Sequence, residues 1–261
     1  MPSDRPLTSF RALTFDCFGT LVDWELGIYT HLSPLLQRLP ASHPFHTSRP
    51  ACLRAFVAHE SRIQREQPTL PYSALLSAAY ADLAAELHLE RPDEAECADF
   101  GASVGAWPAF PDTVEALARL GKVYKLVILS NVDRASFGNT VAGPLGGTTF
   151  DAIYTAQDVG SYKPDLRNFE FLVRRCGEDL GVRKEEILHT AQSLFHDHEP
   201  AKKAGLVSAW IARGTAEGEE ESVMGGKIEE FEGRVDITWR FGTLAEMADA
   251  VEEAFRKEGK A

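Results

Sequence analysis

The chain of 261 residues has little cysteine, no long apolar run, no surplus of positive charge, and no lysine between Leu21 and Gly105. Its four cysteines, Cys17, Cys52, Cys97 and Cys176, show neither C-x-x-C nor zinc spacing, which argues against a disulfide framework or a zinc module. They read as free thiols of a reducing compartment. Cys17, beside Asp16, reads as a small strand-end filler, with a redox-sensitive thiol as the alternative. No window is long enough to span a bilayer, and Met1-Pro-Ser-Asp-Arg-Pro6 lacks the apolar stretch of a signal peptide. A cytoplasmic protein without a membrane partner is the expectation. The net charge of -12 argues against nucleic acid and anionic membranes, leaving a small molecule as the expected partner. Gly225-Gly-Lys227 is followed by Ile228 with no glycine five before Gly226, so it is not a nucleotide-binding P-loop. No internal repeat is present.

What is there is ordinary for a globular protein: 44% hydrophobic and 25% charged residues, over a length that suits a main domain plus a smaller one. A short apolar run, Ala12 to Phe15, reads as a buried strand ending on Asp16, followed by the bend Gly19-Thr20. From Trp24 to about Gly105 the pattern is helical. Ala51–Arg65, Tyr72–Leu89 and Asp93–Val104 carry apolar residues at three- and four-residue spacing, and Pro40–Pro50 reads as a loop. Beyond Pro111 helices and strands alternate. Strands are expected at Tyr124–Leu129, Ala152–Tyr154, Ile187–His189, Val207–Ile211 and Val235–Trp239. Helices are expected at Asp112–Leu120, from Asp133, at Leu166–Cys176, Pro200–Ala204 and Leu244–Phe255. That alternation predicts an α/β fold, a doubly wound parallel sheet with helices on both faces. Thr215–Glu232, acidic and glycine-rich, reads as a solvated loop or a lid.

Polar residues recur just past the expected strand ends, where open α/β sheets bind ligands. A carboxylate there, Asp16, can serve as a nucleophile, or merely cap a turn. Ser130-Asn131 follows an apolar strand and could instead cap the next helix. Lys163 stands in Tyr162-Lys163-Pro164, and Asp197 in Gln192-Ser193-Leu-Phe-His196-Asp197-His198, with Ala204-Gly205 eight residues on. A His-Asp-His metal site is disfavoured, because alternate residues of extended chain point to opposite sides.

In this order the four segments resemble the motifs of the haloacid dehalogenase (HAD) superfamily. D-C-F-G-T-L-V-D-W, from Asp16 to Trp24, is most similar to its 2-haloacid dehalogenase branch. The resemblance spans Asp16 to Gly205. It implies a Rossmann-like core of residues 1–20 and 106–261, and an inserted all-helical cap of residues 21–105 that closes over Asp16. The resemblance leaves a homodimer open as the assembly.

The resemblance also implies roles. Asp16 would displace halide from C2 of a 2-haloalkanoic acid, giving an aspartyl ester that water hydrolyses to the 2-hydroxy acid. Lys163 would neutralise charge beside it, and Asp197 would orient the water. Substrate would be bound by Phe18, Thr20, Ser130, Asn131, Gln192 and Ser193. Ser130 would hold its carboxylate and Asn131 would help cradle the halide. Phosphatase members carry a second aspartate two residues after the first, as the acid that protonates the alkoxide. Phe18 stands there and cannot donate a proton, and neutral Gln192-Ser193 replace an acidic metal ligand. No metal and no cofactor are therefore expected. The lysine-free stretch from Leu21 to Gly105 excludes a Schiff-base cap lysine.

The chain departs from the branch at Phe18 and Phe169, where tyrosine is usual, and at Leu194, where asparagine is common. These changes suggest a more apolar pocket or a different natural reaction. A cap arginine for the halide is expected among Arg54, Arg62 and Arg65. Two rivals remain: a magnesium phosphatase drawing its proton from another donor such as His196, and a HAD-fold binding or regulatory protein with little catalysis.

Overall fold

In the computed structural model, which describes residues 5–213, 223 and 225–259, six parallel strands form one sheet. They are β1 (Ala12–Phe15), β2 (Lys125–Ser130), β3 (Ala152–Thr155), β4 (Ile187–Ala191), β5 (Val207–Ile211) and β6 (Ile237–Phe241). Their order is β3-β2-β1-β4-β5-β6. Every neighbouring pair is parallel. The chain winds outward from β1 to β3, then returns to the other side of β1. The β1/β4 junction is thus where the winding reverses and the carboxyl ends of strands flank a crevice.

Period-two alternation explains the layers. Leu13, Phe15, Leu126, Ile128 and Leu188 point to one face. There they meet α6 (Thr113–Leu120) and α11 (Leu244–Lys257) through Leu117, Leu244 and Met247. Ala12, Val127, Leu129 and Ile187 point to the other face. They meet α9 (Arg167–Leu180) through Phe169, Leu172 and Cys176, and α10 (Glu199–Ala204) through Ala201. Each fully buried aliphatic chain contributes about 1.5–3 kcal/mol.

Between β1 and α6 the described chain is entirely helical or irregular. It contains α1 (Trp24–His31), α2 (Ser33–Leu36), α3 (Arg49–Glu66), α4 (Tyr72–Glu86) and α5 (Glu94–Ala102). Asp23 caps α1 by accepting from Leu26 N–H, and Asp93 caps α5 by accepting from Glu96 N–H. Cys52, Leu53, Phe56, Leu75, Leu76, Ala79, Tyr80 and Leu83 are buried, the apolar stripes of α3 and α4. Gly27 allows α1 to lie on Trp107, whose ring a Cβ at that position would meet at 2.3 Å.

The expected strands and helices all form, with shifted ends. A short helix, α8 (Ala156–Val159), follows β3, and helix α9 runs on to Leu180. The last strand lies two residues later than expected, at Ile237–Phe241, and Val235 before it packs with Ile237 against the cluster of Leu194, Trp210 and Phe231. As a sheet edge, β6 is only part-buried, so its apolar pattern marks its ends weakly. The Pro40–Pro50 loop contains a short 3-10 turn, Pro44–His46, and gives way to α3 at Arg49. Half of the loop expected over Thr215–Glu232 lies outside the described residues. Its described end folds as a 3-10 turn, Ile228–Phe231, with Phe231 buried.

Candidate active site

Asp16 follows β1 directly and is 6% exposed at the rim of the crevice. The backbone then reverses within four residues: Leu21 and Val22 N–H both donate to Cys17 O, and Gly19 N–H to Val22 O. Gly19 sits at φ +94°, a conformation that glycine adopts without strain. The turn places the Thr20 hydroxyl on Asp16 Oδ2 at 2.8 Å, while Thr20 Oγ1 accepts from Gln192 N–H. Arg213 clamps the turn from behind, donating through Nε and Nη2 to Thr20 O and through Nη1 to Asp112.

Lys163 is 1% exposed, and its ammonium has three donors and three acceptors: Asp16 Oδ1 at 2.8 Å, Asp197 Oδ1 at 2.7 Å and Leu129 O at 3.0 Å. One cation therefore serves two buried carboxylates. Burial opposes the charge on Lys163, but the two aspartates outweigh it and raise its pKa. Burial, with Asp197 nearby, lifts the Asp16 carboxyl above its ordinary value against the pull of Lys163 and Thr20. Burial pushes Asp197 the same way, but there Lys163 and His189 win and hold its carboxyl well below the usual range. Asp197 is the firmly ionised member.

The backbone of Lys163 is pinned by Asn131, whose Oδ1 accepts from Lys163 N–H and whose Nδ2 donates to Lys163 O. Asn131 thus positions the lysine, whatever else it touches. Asp133, not Ser130 or Asn131, caps α7 (Arg134–Ala142), accepting from Ser136 N–H. Ser130 Oγ is left without a partner in the cleft.

Asp16, Phe18, Ser130, Asn131, Lys163, Gln192, Ser193 and Asp197 all line one cavity of about 60 Å³, more than the space one water needs. Thr20, expected to bind substrate, does not line it. It is fully buried behind Asp16 because its hydroxyl is spent on the carboxylate. Ser193 Oγ accepts from His196 N–H and so caps the turn that carries Asp197. That turn, Leu194–His198, is π-helical rather than extended. His198 leaves the cleft for Ser208 Oγ and Ala191 O, while His196 stays near Ser193. Burial pushes both imidazoles down to about 4. His196 is thus neutral at physiological pH and a poor substitute for the phosphatase acid.

Two of the three apolar departures lie elsewhere. Phe169 packs edge-on to His189, with ring centroids 5.4 Å apart, and Leu194 lies among Trp210, Ala212 and Phe231. Only Phe18 faces the cavity, its ring edge-on to Trp107 and 6.2 Å from Tyr72. Cys17 is fully buried, and burial pushes its thiol far up, which favours the filler reading over a reactive thiol.

None of Arg54, Arg62 and Arg65 lines the cavity. Arg62 pairs with Glu66 and Asp82, and Arg54 and Arg65 are exposed. From α3 the lining residues are Glu60, Ser61 and Gln64, joined by Tyr72 of α4 and Trp24 of α1. Sequence reasoning missed these, and also His189. The His189 Nε2 lies 2.9 Å from Asp197 Oδ1 and its Nδ1 2.9 Å from Thr14 Oγ1, so a buried chain of polar groups backs Asp197. A histidine inside a run that reads as a buried strand, Ile187-Leu-His-Thr-Ala, was the available signal.

The chain is 30% identical over 105 residues to the (S)-2-haloacid dehalogenase of Pseudomonas putida. That match covers 40% of this chain and spans less than half, 44%, of the dehalogenase. Its fold is similar to that of the L-2-haloacid dehalogenase from Xanthobacter autotrophicus, with a TM-score of 0.71 at 20% identity over 93% of this chain and 98% of that one. A defluorinating L-2-haloacid dehalogenase superposes with a TM-score of 0.72 at 20% identity, over 97% and 100% of the two chains. No helix among the described residues is long and apolar enough to cross a membrane. The family model for haloacid dehalogenase-like hydrolases matches residues 10–205, and the chain belongs to that family.

Proposed function

We propose that the protein hydrolyses a carbon–halogen bond at C2 of a small organic acid, with Asp16 as the nucleophile. The observation that carries this reading is the Asp16–Lys163–Asp197 cluster at the mouth of a small cavity, with Phe18 in place of a second carboxylate. Asp16 Oδ1 and Oδ2 are held by Lys163 and Thr20, which fixes the carboxylate for in-line attack. Chloride and bromide leave as stable anions, so attack on the carbon bearing them needs no acid at position 18. Ser130 Oγ, unpartnered in the cavity, suits the substrate carboxylate. Water then attacks the aspartyl carbonyl. Asp197 Oδ2, which has no partner, suits the orienting of that water, with His189 and Lys163 fixing the other oxygen.

The dehalogenases similar to this chain support the same substrate class. We take residues 21–105 as a cap over a core of residues 1–20 and 106–261, excluding bulk water from the ester. Magnesium fits this donor set poorly. A dication between Asp16 and Asp197 would crowd the Lys163 ammonium that already bridges them, and Gln192 and Ser193 add no charge. The reaction we propose is therefore metal-independent.

The test is halide release from each enantiomer of 2-chloropropionate, without added metal, beside Asp16→Asn. Release from one enantiomer, lost in the variant and unchanged by EDTA, is the expected result. Magnesium-dependent turnover of p-nitrophenyl phosphate with no halide release would overturn it.

A further inference from the structure

The cavity wall contributed by α3 carries an acid where the reaction leads one to expect a cation. Glu60 is 6% exposed and lines the cavity with Asp16. Its Oε1 accepts from the Tyr72 hydroxyl at 2.7 Å, and its Oε2 is buried without a partner. The titratable groups around it are Tyr72 of α4 and Tyr162 of the segment before Lys163, with Asp16, Lys163, Asp197 and His196 also lining the cavity. No lysine or arginine of the helical segment joins them in the lining.

In an in-line displacement the leaving group departs on the side away from the nucleophile. With Asp16 on the sheet side, that direction is the helical wall. An ionised Glu60 would repel both the departing anion and the substrate carboxylate, in a cavity where Lys163 already balances two aspartates. A protonated Glu60 would instead present an O–H to the leaving group.

We propose that Glu60 is the acid that protonates the leaving group, so that the cavity is suited to C2 substituents that leave poorly as free anions, fluoride foremost. This rests on Asp16 being the nucleophile. Asp16 forms its bond to C2 as the carbon–fluorine bond breaks. The electron pair goes to fluorine, and the Glu60 Oε2 proton goes with it as hydrogen fluoride. Water then cleaves the aspartyl ester, giving the 2-hydroxy acid and regenerating the Asp16 carboxylate. The proton released in that step returns to Glu60. Bromide, the anion of a strong acid, gains little from the donated proton. Burial supports the assignment by raising the Glu60 carboxyl to about 7, against the lowering effect of the Tyr72 hydrogen bond.

The test measures fluoride release from 2-fluoropropionate and bromide release from 2-bromopropionate, by wild type and Glu60→Gln, between about pH 5.5 and 8.5. Glutamine keeps an acceptor for Tyr72, and a thermal melt verifies that the variant is folded. Glu60→Gln is expected to lower fluoride release about 10²-fold more than bromide release. The wild-type fluoride rate should fall as pH rises above about 7, a limb the variant lacks. Tyr72→Phe removes a bond that favours ionisation, so it should move that limb to higher pH. Equal losses of both halides in Glu60→Gln, or a fluoride rate without the alkaline limb, would overturn the assignment. Absence of bromide release by wild type would instead remove the underlying nucleophile reading.

Discussion

On the sheet side of the cleft, two buried carboxylates share a lysine that spends all three of its protons on them and on one carbonyl. On the helical side a third carboxyl, Glu60, is equally buried and has only a tyrosine hydroxyl. The two walls answer the cost of burying charge differently. One keeps the charges and pairs them; the other holds a carboxyl whose ionisation burial pushes up to about pH 7. A nucleophile needs the first environment and a proton donor the second.

The contrast can be broken most completely at Asp16. Asp16→Asn keeps the shape but removes the attacking oxygen, and halide release should fall about 10³-fold or more. Lys163→Met attacks the pairing itself. It leaves Asp16 and Asp197 facing each other without a cation, and urea unfolding should show a loss of roughly 3–5 kcal/mol alongside lost turnover. Asp16→Asn should cost less stability than that, because Asp197 keeps its partner.

The pH dependence of stability separates the walls by sign. The carboxyl of Asp197 is depressed in the folded state, so its contribution is present above the ordinary carboxylate value and is lost as pH falls through the folded one. The carboxyl of Glu60 is raised from 4.5 to about 7. Its contribution is complete below 4.5 and is lost as pH rises through about 7, a difference of roughly 3 kcal/mol. Glu60→Gln should flatten the stability profile between about pH 4.5 and 7 and leave the more acid side as it is. The smallest effect is expected at Ser130. Ser130→Ala removes one hydrogen bond to the substrate carboxylate, which should lower kcat/KM by about 10- to 100-fold while leaving thermal stability nearly unchanged.

Legibility followed the range of the interactions. Asp16, Lys163 and Asp197 could be picked out because each stands next to a strand end or within a short local pattern, and parallel strands bring such ends together. Thr20 was placed in the right loop but assigned to substrate, because the pattern does not show which way its hydroxyl turns. Phe169 and Leu194 were counted as pocket residues because spacing gives position along the chain, not which face of the sheet or turn a side chain takes. The cap arginine failed for a related reason. Which stripe of α3 lines the cleft depends on how that helix is rotated against α1 and α4, and that rotation is set by the packing of Leu53, Phe56, Leu75 and Tyr80.

By itself, then, the sequence determined the alternation of strands and helices, the helical character of the stretch after β1, and the identity of the three charged groups, one at a strand end and two in the segments that follow strands. Apolar periodicity and strand-end motifs are local and survive without coordinates. The tertiary structure alone decided that one lysine serves two aspartates, that His189 stands behind Asp197, and that the charged residue facing the cavity from α3 is the acid Glu60. Those contacts join residues distant in sequence, and only the docking of whole elements brings their side chains within hydrogen-bonding reach.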